Sequence, residues 1–392
     1  MTAEKARRVL LVVNEVDWFW SHRLPLAKEI LSEKHHLILA SHEACSDTEL
    51  DKFGIDAVNI PRISSNFNPY AHLKLLVSLA RTLMTVKPDL VHVITIRYAI
   101  YVGLVAKIIR YKPVIVTVAG LGSLFSSPTL KMRTLRFFLT PLLRFALGGE
   151  GRLNIFQNPD DRENLLELKI GRADQAFLIR GSGVDIKDYP FVPYQESIHP
   201  PKVLFASRLL RDKGVSSVIE AARILKEQNV PIEFIIAGGL IDGNSRFISR
   251  KEIENAHAEG VVNWLGNVSS VAQLMQESIM VVFPSFYGEG VPKVLLEAAA
   301  TGRPIITCDV PGCREAVIDG LNGILIPPKN PNALAQEIVA LIADKPKRHA
   351  QGEAGRRMVE QEFRTELVIK QTMEVYSQAL ALPDNAECIE EL

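Results

Sequence analysis

Ile279-Met280-Val281-Val282-Phe283-Pro284-Ser285-Phe286-Tyr287-Gly288-Glu289-Gly290-Val291-Pro292-Lys293-Val294-Leu295-Leu296-Glu297-Ala298 is the stretch around which the chain is organised. Its first five residues are apolar on both faces, the pattern of a parallel strand covered on both sides, and the run stops at Pro284. A polar loop, residues 285–290, leads to Pro292, which suits the first position of a helix, where a missing N–H costs nothing. Glu289 then lies in the strand-to-helix loop and Glu297 roughly a turn and a half into the helix. The helix tip between them offers N–H groups and a positive dipole end, a seat for phosphate. Two carboxylates repel phosphate, but they suit the hydroxyls on either side of a diphosphate, ribose at one end and sugar at the other. That arrangement fits a nucleotide-sugar. The plainer alternative is an ordinary strand–helix unit with two solvated carboxylates.

The same alternation runs through the chain. Val9 to Val13, Leu37 to Ala40, Leu90 to Val93 and Val114 to Val118 read as buried strands separated by helix-length segments. Residues 14–20 read as a polar, aromatic loop, followed by a helix from about Ser21. After a proline-rich segment the pattern restarts with Val203 to Ala206, Phe234 to Ala237, Val261 to Trp264 and Pro304 to Thr307. The fold class is therefore α/β: two doubly wound, Rossmann-like domains in tandem, with ligand at the carboxyl ends of the strands. The boundaries read as 1–185, a linker at 186–201, and a second domain at 202–364. A helix at 365–382 is placed to pack back on the first domain, and 383–392 is an acidic tail.

At 392 residues the chain is long enough for two domains that each bury a core. Its charge is balanced, 45 basic against 45 acidic, but uneven: residues 57–149 hold twelve basic residues and one acid, Asp89. Such a region attracts anions. Its basic residues are interleaved with apolar ones and resemble no nucleic-acid module, so lipid headgroups or pyrophosphates are the expected partners, and no nucleic acid. Within it, residues 130–145 are basic and heavily apolar, either a helix lying on an anionic membrane surface or a core helix with basic ends. The longest uncharged run, 113–130, is broken by glycines, serines and a proline and is no membrane span. Cys45, Cys308, Cys313 and Cys388 are scattered, which predicts reduced thiols in a cytosolic chain and no metal site. The charged N-terminus leads straight into a strand and has no signal-peptide character.

Ser207-Arg208 through Lys213-Gly214 leaves the first strand of the second domain and opens a helix. A cation at a helix start is unfavourable unless an anion lies nearby, so Arg208 and Lys213 read as clamps on a diphosphate, with Arg211 a surface charge. Together with Pro284-Ser285, Glu289-Gly290, Glu297-Ala298, Gly302-Arg303-Pro304 and Gly320-Leu321-Asn322-Gly323, these residues resemble the retaining glycosyltransferases of family four, with the GT-B fold. In the first half, Ser21-His22-Arg23, the run 87–92, Gly120-Leu121-Gly122 and Phe156-Gln157-Asn158 with Asp160-Asp161 are similar to the PglA-like and capsule-pathway N-acetylgalactosaminyltransferases, which extend polyprenyl-diphosphate-linked sugars.

The resemblance implies two domains facing across a cleft, with Glu289 on the donor sugar's hydroxyls and Glu297 on the ribose. Backbone N–H groups around the run Gly290, Val291, Pro292, Lys293 would meet the sugar and phosphate, and the loop at Gly266 and Asn267 would hold the base. Arg208 and Lys213 would hold the leaving diphosphate in place of a metal, so no metal or other cofactor is expected. On the acceptor side the candidates are Asn14, Asp17, His22, Gly120 and Gly122. Many relatives carry a glycine pair where this chain has Asn14-Glu15, and a histidine where it has Ala119. Asp17 is either a nucleophile or a cap, and His22 either orients the acceptor or serves as an N-terminal hydrogen-bonder.

The expected function is a metal-independent retaining transfer from a UDP-sugar, UDP-N-acetylhexosamine, to a polyprenyl-diphosphate-linked saccharide at the inner face of the cytoplasmic membrane. The alternatives are a transferase with a soluble acceptor and a nucleotide-sugar epimerase.

Overall fold

The computed structural model describes residues 6–63, 68–122, 125, 129–197 and 199–382; the tail at 383–392 and the side chain of Lys131 lie outside the described residues. The chain divides into two compact units, Met1–Ser182 with Val368–Leu392, and Gly183–Leu367.

The first unit holds a sheet of seven parallel strands: β1 (Arg8–Glu15), β2 (His36–His42), β3 (Asp56–Asn59), β4 (Leu90–Ile94), β5 (Val114–Val118), β6 (Arg152–Phe156) and β7 (Ala176–Leu178). Their order is β3-β2-β1-β4-β5-β6-β7. Runs such as Leu90–Ile94 and Val114–Val118 are buried along their whole length, because helices cover both faces of the sheet. On one face, the helices Pro69–Val86 and Leu130–Leu147 both pack against Ile96–Ile108. On the other, Val368, Val375, Tyr376 and Ala379 of the helix Thr365–Leu380 join the core of β1, β2 and β4.

The second unit holds six parallel strands: β8 (Lys202–Ala206), β9 (Glu233–Ala237), β10 (Asn263–Gly266), β11 (Met280–Phe283), β12 (Ile305–Cys308) and β13 (Gly323–Ile326), in the order β10-β9-β8-β11-β12-β13. In each sheet the winding reverses once, between β1 and β4 and between β8 and β11. Chain leaving the carboxyl ends of those pairs diverges to opposite sides and opens a crevice, the usual ligand position in such sheets.

Two local readings are corrected. Residues 14–20 are not a loop: Asn14 and Glu15 finish β1, and Val16–His22 forms a short helix that sends Phe19 into the core. Pro292 is the residue preceding the helix Lys293–Ala300, not its first member, because its ψ of 119° is extended.

His92 is fully buried on β4, its ring within 2.7 Å of both Tyr376 Oη and Thr117 Oγ1. Burial, and secondarily the charge of Arg23, hold its imidazole well below the usual 6.5. The folded chain keeps His92 neutral where the unfolded chain takes a proton, so this site's contribution to stability is lost as pH falls through 6.5. Urea unfolding compared between about pH 7.5 and 5.5 should show a shallower dependence in His92→Gln than in the wild type. The difference between the two slopes isolates His92 from the other titrating groups.

Candidate active site

Arg208 lies two residues beyond β8, exposed, with no side-chain hydrogen bond or ion pair among the described residues. Lys213 ends a 3-10 turn, Arg211–Lys213, that precedes the helix Val215–Glu227, so it stands before the helix rather than within its first turn. Residues 284–292 leave β11, the strand beside β8 at the reversal. The two loops are stapled together: Asp212 O accepts from Phe286 N at 3.0 Å and lies 3.2 Å from Ser285 Oγ. Gly214 makes the approach possible. Its φ is +85°, and a Cβ there would sit 2.2 Å from Pro284 O.

Across this junction Lys213 Nζ forms an ion pair with Glu289 Oε2, both side chains only about one-seventh exposed (15% and 14%). Lys213 Nζ also stands 5.5 Å over the Phe283 ring. Ser285 Oγ lies 2.8 Å from Glu289 Oε1, so its one proton serves either that carboxylate or the Asp212 carbonyl. Lys213 is therefore not a cation waiting for phosphate alone. It is already committed to Glu289, and Arg208 has no such commitment.

Gly290, Val291 and Pro292 are buried beneath this loop. Behind them is Gly312, with φ +82°, where a Cβ would come within 1.7 Å of Gly290 O and 2.7 Å of Glu289 O. On the following helix Lys293 Nζ is 3.5 Å from Glu297 Oε1, one turn along. Burial, and next the charge of Glu297, push the pKa of the Tyr189 phenol up. Sequence reading passed over Tyr189, since it lies in a segment taken as linker, more than a hundred residues from Glu297. Gly266 and Asn267 stand at the end of β10, where Gly238 N donates to Gly266 O at 2.7 Å. A Cβ on Gly239 would press Asn267 Oδ1 at 2.5 Å. The structure thus brings Lys213 to Glu289 and Lys293 to Glu297, and places Arg208 beyond β8 and Gly266 and Asn267 at the end of β10, carboxyl ends of one sheet separated by β9.

In the first unit the acceptor-side candidates scatter along the carboxyl edge. Asn14, the penultimate residue of β1, accepts from Thr95 Oγ1 at 3.0 Å, bridging the reversal between β1 and β4. Thr95 holds φ +85°, an unusual conformation for a β-branched residue and one that sequence gives no sign of. Asp17 lies in the first turn of the helix Val16–His22. His22 closes that helix rather than starting one, stacked on Trp18 at 4.9 Å with Ser21 Oγ 2.6 Å from Nδ1. Gly120 and Gly122 follow β5, both at positive φ. Burial pushes the Asp161 carboxyl up to about 6, against the bond that it accepts from Asn158 Nδ2 at 2.9 Å. Beside the ends of β2 and β3 a groove of about 700 Å³ is lined by Arg62, Tyr70, Leu73, Lys74, Val77 and Arg81, among others.

Residues 8–154 match the family described as glycosyl transferase 4-like, and residues 193–358 match glycosyl transferases group 1. A Campylobacter jejuni relative, N,N'-diacetylbacillosaminyl-diphospho-undecaprenol alpha-1,3-N-acetylgalactosaminyltransferase, is 26% identical over 82% of this chain and 86% of its own length. The putative colanic acid biosynthesis glycosyltransferase WcaL of Escherichia coli is 31% identical over 44% of this chain and 43% of its own. Among solved structures, Anabaena HepE in complex with UDP and glucose superposes with a TM-score of 0.75 at 21% identity, over 95% of this chain and all of that one. Sucrose-phosphate synthase from Thermosynechococcus elongatus gives 0.77 at 21% identity, over 96% of this chain and all of that one.

These matches and the paired doubly wound sheets define the class: an enzyme, and a glycosyltransferase. More narrowly, the chain belongs to the glycosyltransferases whose first domain is 4-like and whose second is of group 1.

Gly312 offers a test of how this loop is held. Gly312→Ala should cost about 1–3 kcal/mol more stability than Gly320→Ala. Gly320 shares the positive φ, but nothing lies within 4 Å of its added Cβ. Paired urea melts of the two variants measure the difference.

Proposed function

We propose that this glycosyltransferase moves a sugar, an N-acetylhexosamine, from a UDP-sugar to a polyprenyl-diphosphate-linked saccharide, with retention of anomeric configuration and no metal. The observation that carries the reading is the Lys213–Glu289 pair at the reversal between β8 and β11, with Arg208 uncommitted on the same loop. The donor diphosphate would lie against the N-terminal end of the helix Lys293–Ala300, where N–H groups lack intrahelical partners, and take charge from Arg208 and Lys213. Glu289 would receive the sugar's hydroxyls and Glu297 the ribose hydroxyls. The names of relatives support the chemistry: one acts on a diphospho-undecaprenol sugar, and HepE has been solved with UDP-glucose.

The step balances without a protein nucleophile. The acceptor hydroxyl attacks the anomeric carbon from the face that UDP leaves, the C1–O bond to UDP breaks, and the hydroxyl proton passes to the departing phosphate. Negative charge builds on the diphosphate, and the two cations stabilise it where a divalent ion otherwise would. Among the described residues no group of three or more His, Cys, Asp and Glu could hold a metal ion.

The acceptor's lipid argues for work at a membrane surface. Among the described residues no helix is long and apolar enough to cross a bilayer. The helix Leu130–Leu147 instead leaves Phe137 and Phe138 75% and 70% exposed in its first half, while Leu143, Ala146 and Leu147 enter the core. It is thus a core helix at its end, while its start exposes Arg133, Phe137 and Phe138, and we assign that start to anionic lipid. Arg144 is spent on the Leu168 carbonyl at 2.6 Å and is left out of the contact.

Arg208→Ala should lower kcat by about 10²–10³, read as UDP release from a screen of UDP-sugars with and without lipid-linked acceptors. Excess EDTA should leave the wild-type rate unchanged. Release with free saccharides alone would point to a soluble acceptor, and turnover of UDP-sugar without any acceptor to an epimerase. Replacing Arg133 by Glu, with Phe137 and Phe138 by Ala, should abolish sedimentation with phosphatidylglycerol vesicles and leave the melting temperature in place. Unchanged sedimentation would remove the membrane contact.

A further inference from the structure

Glu289 stands between Gly288 and Gly290, the residue type that restrains a backbone least, so the shape of its loop has to come from outside it. Four neighbouring loops supply that shape. Asp212, beyond β8, accepts from Phe286 N at 3.0 Å, and Gly312, beyond β12, leaves no room for a Cβ beside Gly290 O. The other two loops come from one strand further out on each side, after β9 and after β13, in the order β9-β8-β11-β12-β13. Each brings a cation to an aromatic ring of the Glu289 loop. Lys329 Nζ lies 4.6 Å over the centre of the Phe286 ring, and the Arg246 guanidinium lies 5.9 Å over that of Tyr287. Arg246 also reaches Asp212 Oδ2 at 3.4 Å, and its carbonyl accepts from Arg211 N at 2.9 Å, so it is fixed to the same junction.

We propose that Lys329 and Arg246 are positioning residues: from the two flanks of β11 they pin Phe286 and Tyr287, and so hold Glu289 where the donor sugar's hydroxyls meet it; this rests on the assignment of Glu289 to the sugar above. Tyr287 O accepts from Glu289 N at 2.9 Å, so a grip on the tyrosine passes directly to the backbone of the glutamate. Lys329 holds φ +58°, a left-handed conformation that lysine seldom adopts. Glycine or asparagine would meet that turn at less cost, so the turn alone does not account for a lysine there; the reach of its side chain to Phe286 does. Asn330, the next residue, caps the helix Pro331–Ala343 by accepting from Ala333 N at 3.0 Å, which fixes the point from which Lys329 reaches back. Both cations are exposed, and a cation over a ring in contact with water adds little to stability. Rate is more sensitive than fold, since displacing a group by about 1 Å can cost as much as 10²-fold. The ring faces under the two cations are closed to sugar and base, so Phe286 and Tyr287 act on those faces as handles of the loop.

UDP release from the UDP-sugar that the wild type turns over fastest, with a lipid-linked acceptor, tests this alongside calorimetry with UDP alone. Lys329→Met should lower kcat by about 3- to 10-fold and leave UDP affinity unchanged, because UDP carries no sugar for Glu289 to hold. Lys329→Arg, which keeps a cation over the ring, should return most of the rate. Phe286→Leu should match Lys329→Met, and the two together should lose no more than either alone. Arg246→Met and Tyr287→Leu should form a second pair with the same pattern. A wild-type kcat in Lys329→Met, losses that multiply in the double variant, or UDP affinity that falls along with kcat would each overturn the proposal. If Glu289→Gln turns over as fast as the wild type, the sugar assignment falls and takes the role of both cations with it. A wild-type chain that releases no UDP from any UDP-sugar would bring down the donor reading itself.

Discussion

Two loops meet where the second sheet reverses its winding, and the Lys213–Glu289 pair closes the junction. Everything proposed for the donor depends on that meeting. It is a demanding contact, because both charges are largely withdrawn from water. Such a pair holds only when geometry is good and the remaining oxygens find donors, here Ser285 Oγ beside Glu289 Oε1. Removing either partner would strand the other, which is why Arg208, exposed and uncommitted, gives the cleaner view of catalysis. A ligand that enters such a site redistributes existing contacts rather than filling an empty one. Sugar hydroxyls can share Glu289 while phosphate shares Lys213.

The glycines around the junction serve backbone proximity. Gly214 lets one loop touch the Pro284 carbonyl, and Gly312 lets another lie against Glu289 and Gly290. A side chain at either point would push the acidic loop away from Lys213. The site is thus shaped by what is missing as much as by the charges it displays. The linker tells a similar story from the other side. Arg303, Arg348 and Arg356 spend their guanidinium groups on carbonyls and on the carboxylates of Glu196 and Glu360, and so turn a proline-rich connection into part of the second unit.

Much of this was legible in the sequence. Uninterrupted apolar runs such as Val9–Val13 and Met280–Phe283 announced parallel strands, since a strand covered on both faces has no reason to alternate. The spacing of Glu289 and Glu297 around a strand-to-helix turn suggested hydroxyl-binding groups at the two ends of a diphosphate. Short elements were less visible. Val16–His22 reads as a loop because Val, Trp, Phe and His are indifferent helix formers. Tertiary packing overrides that preference by drawing Phe19 into the core, and the Trp18–His22 stack joins residues one turn apart. β3, only four residues long and half-buried, carries too little apolar signal to stand out.

The sequence by itself determined the alternation of strands and helices and the residue types at the strand ends, because hydrophobic period and turn chemistry are local. Only the tertiary structure decided which charges meet. Lys213 and Glu289 are 76 positions apart, and Glu196 and Arg348 152. What brings them together is the order in which strands pair, set by the packing of whole helices on whole sheets. No short stretch of chain encodes that order, so the partner of a buried charge appears only once the fold is complete.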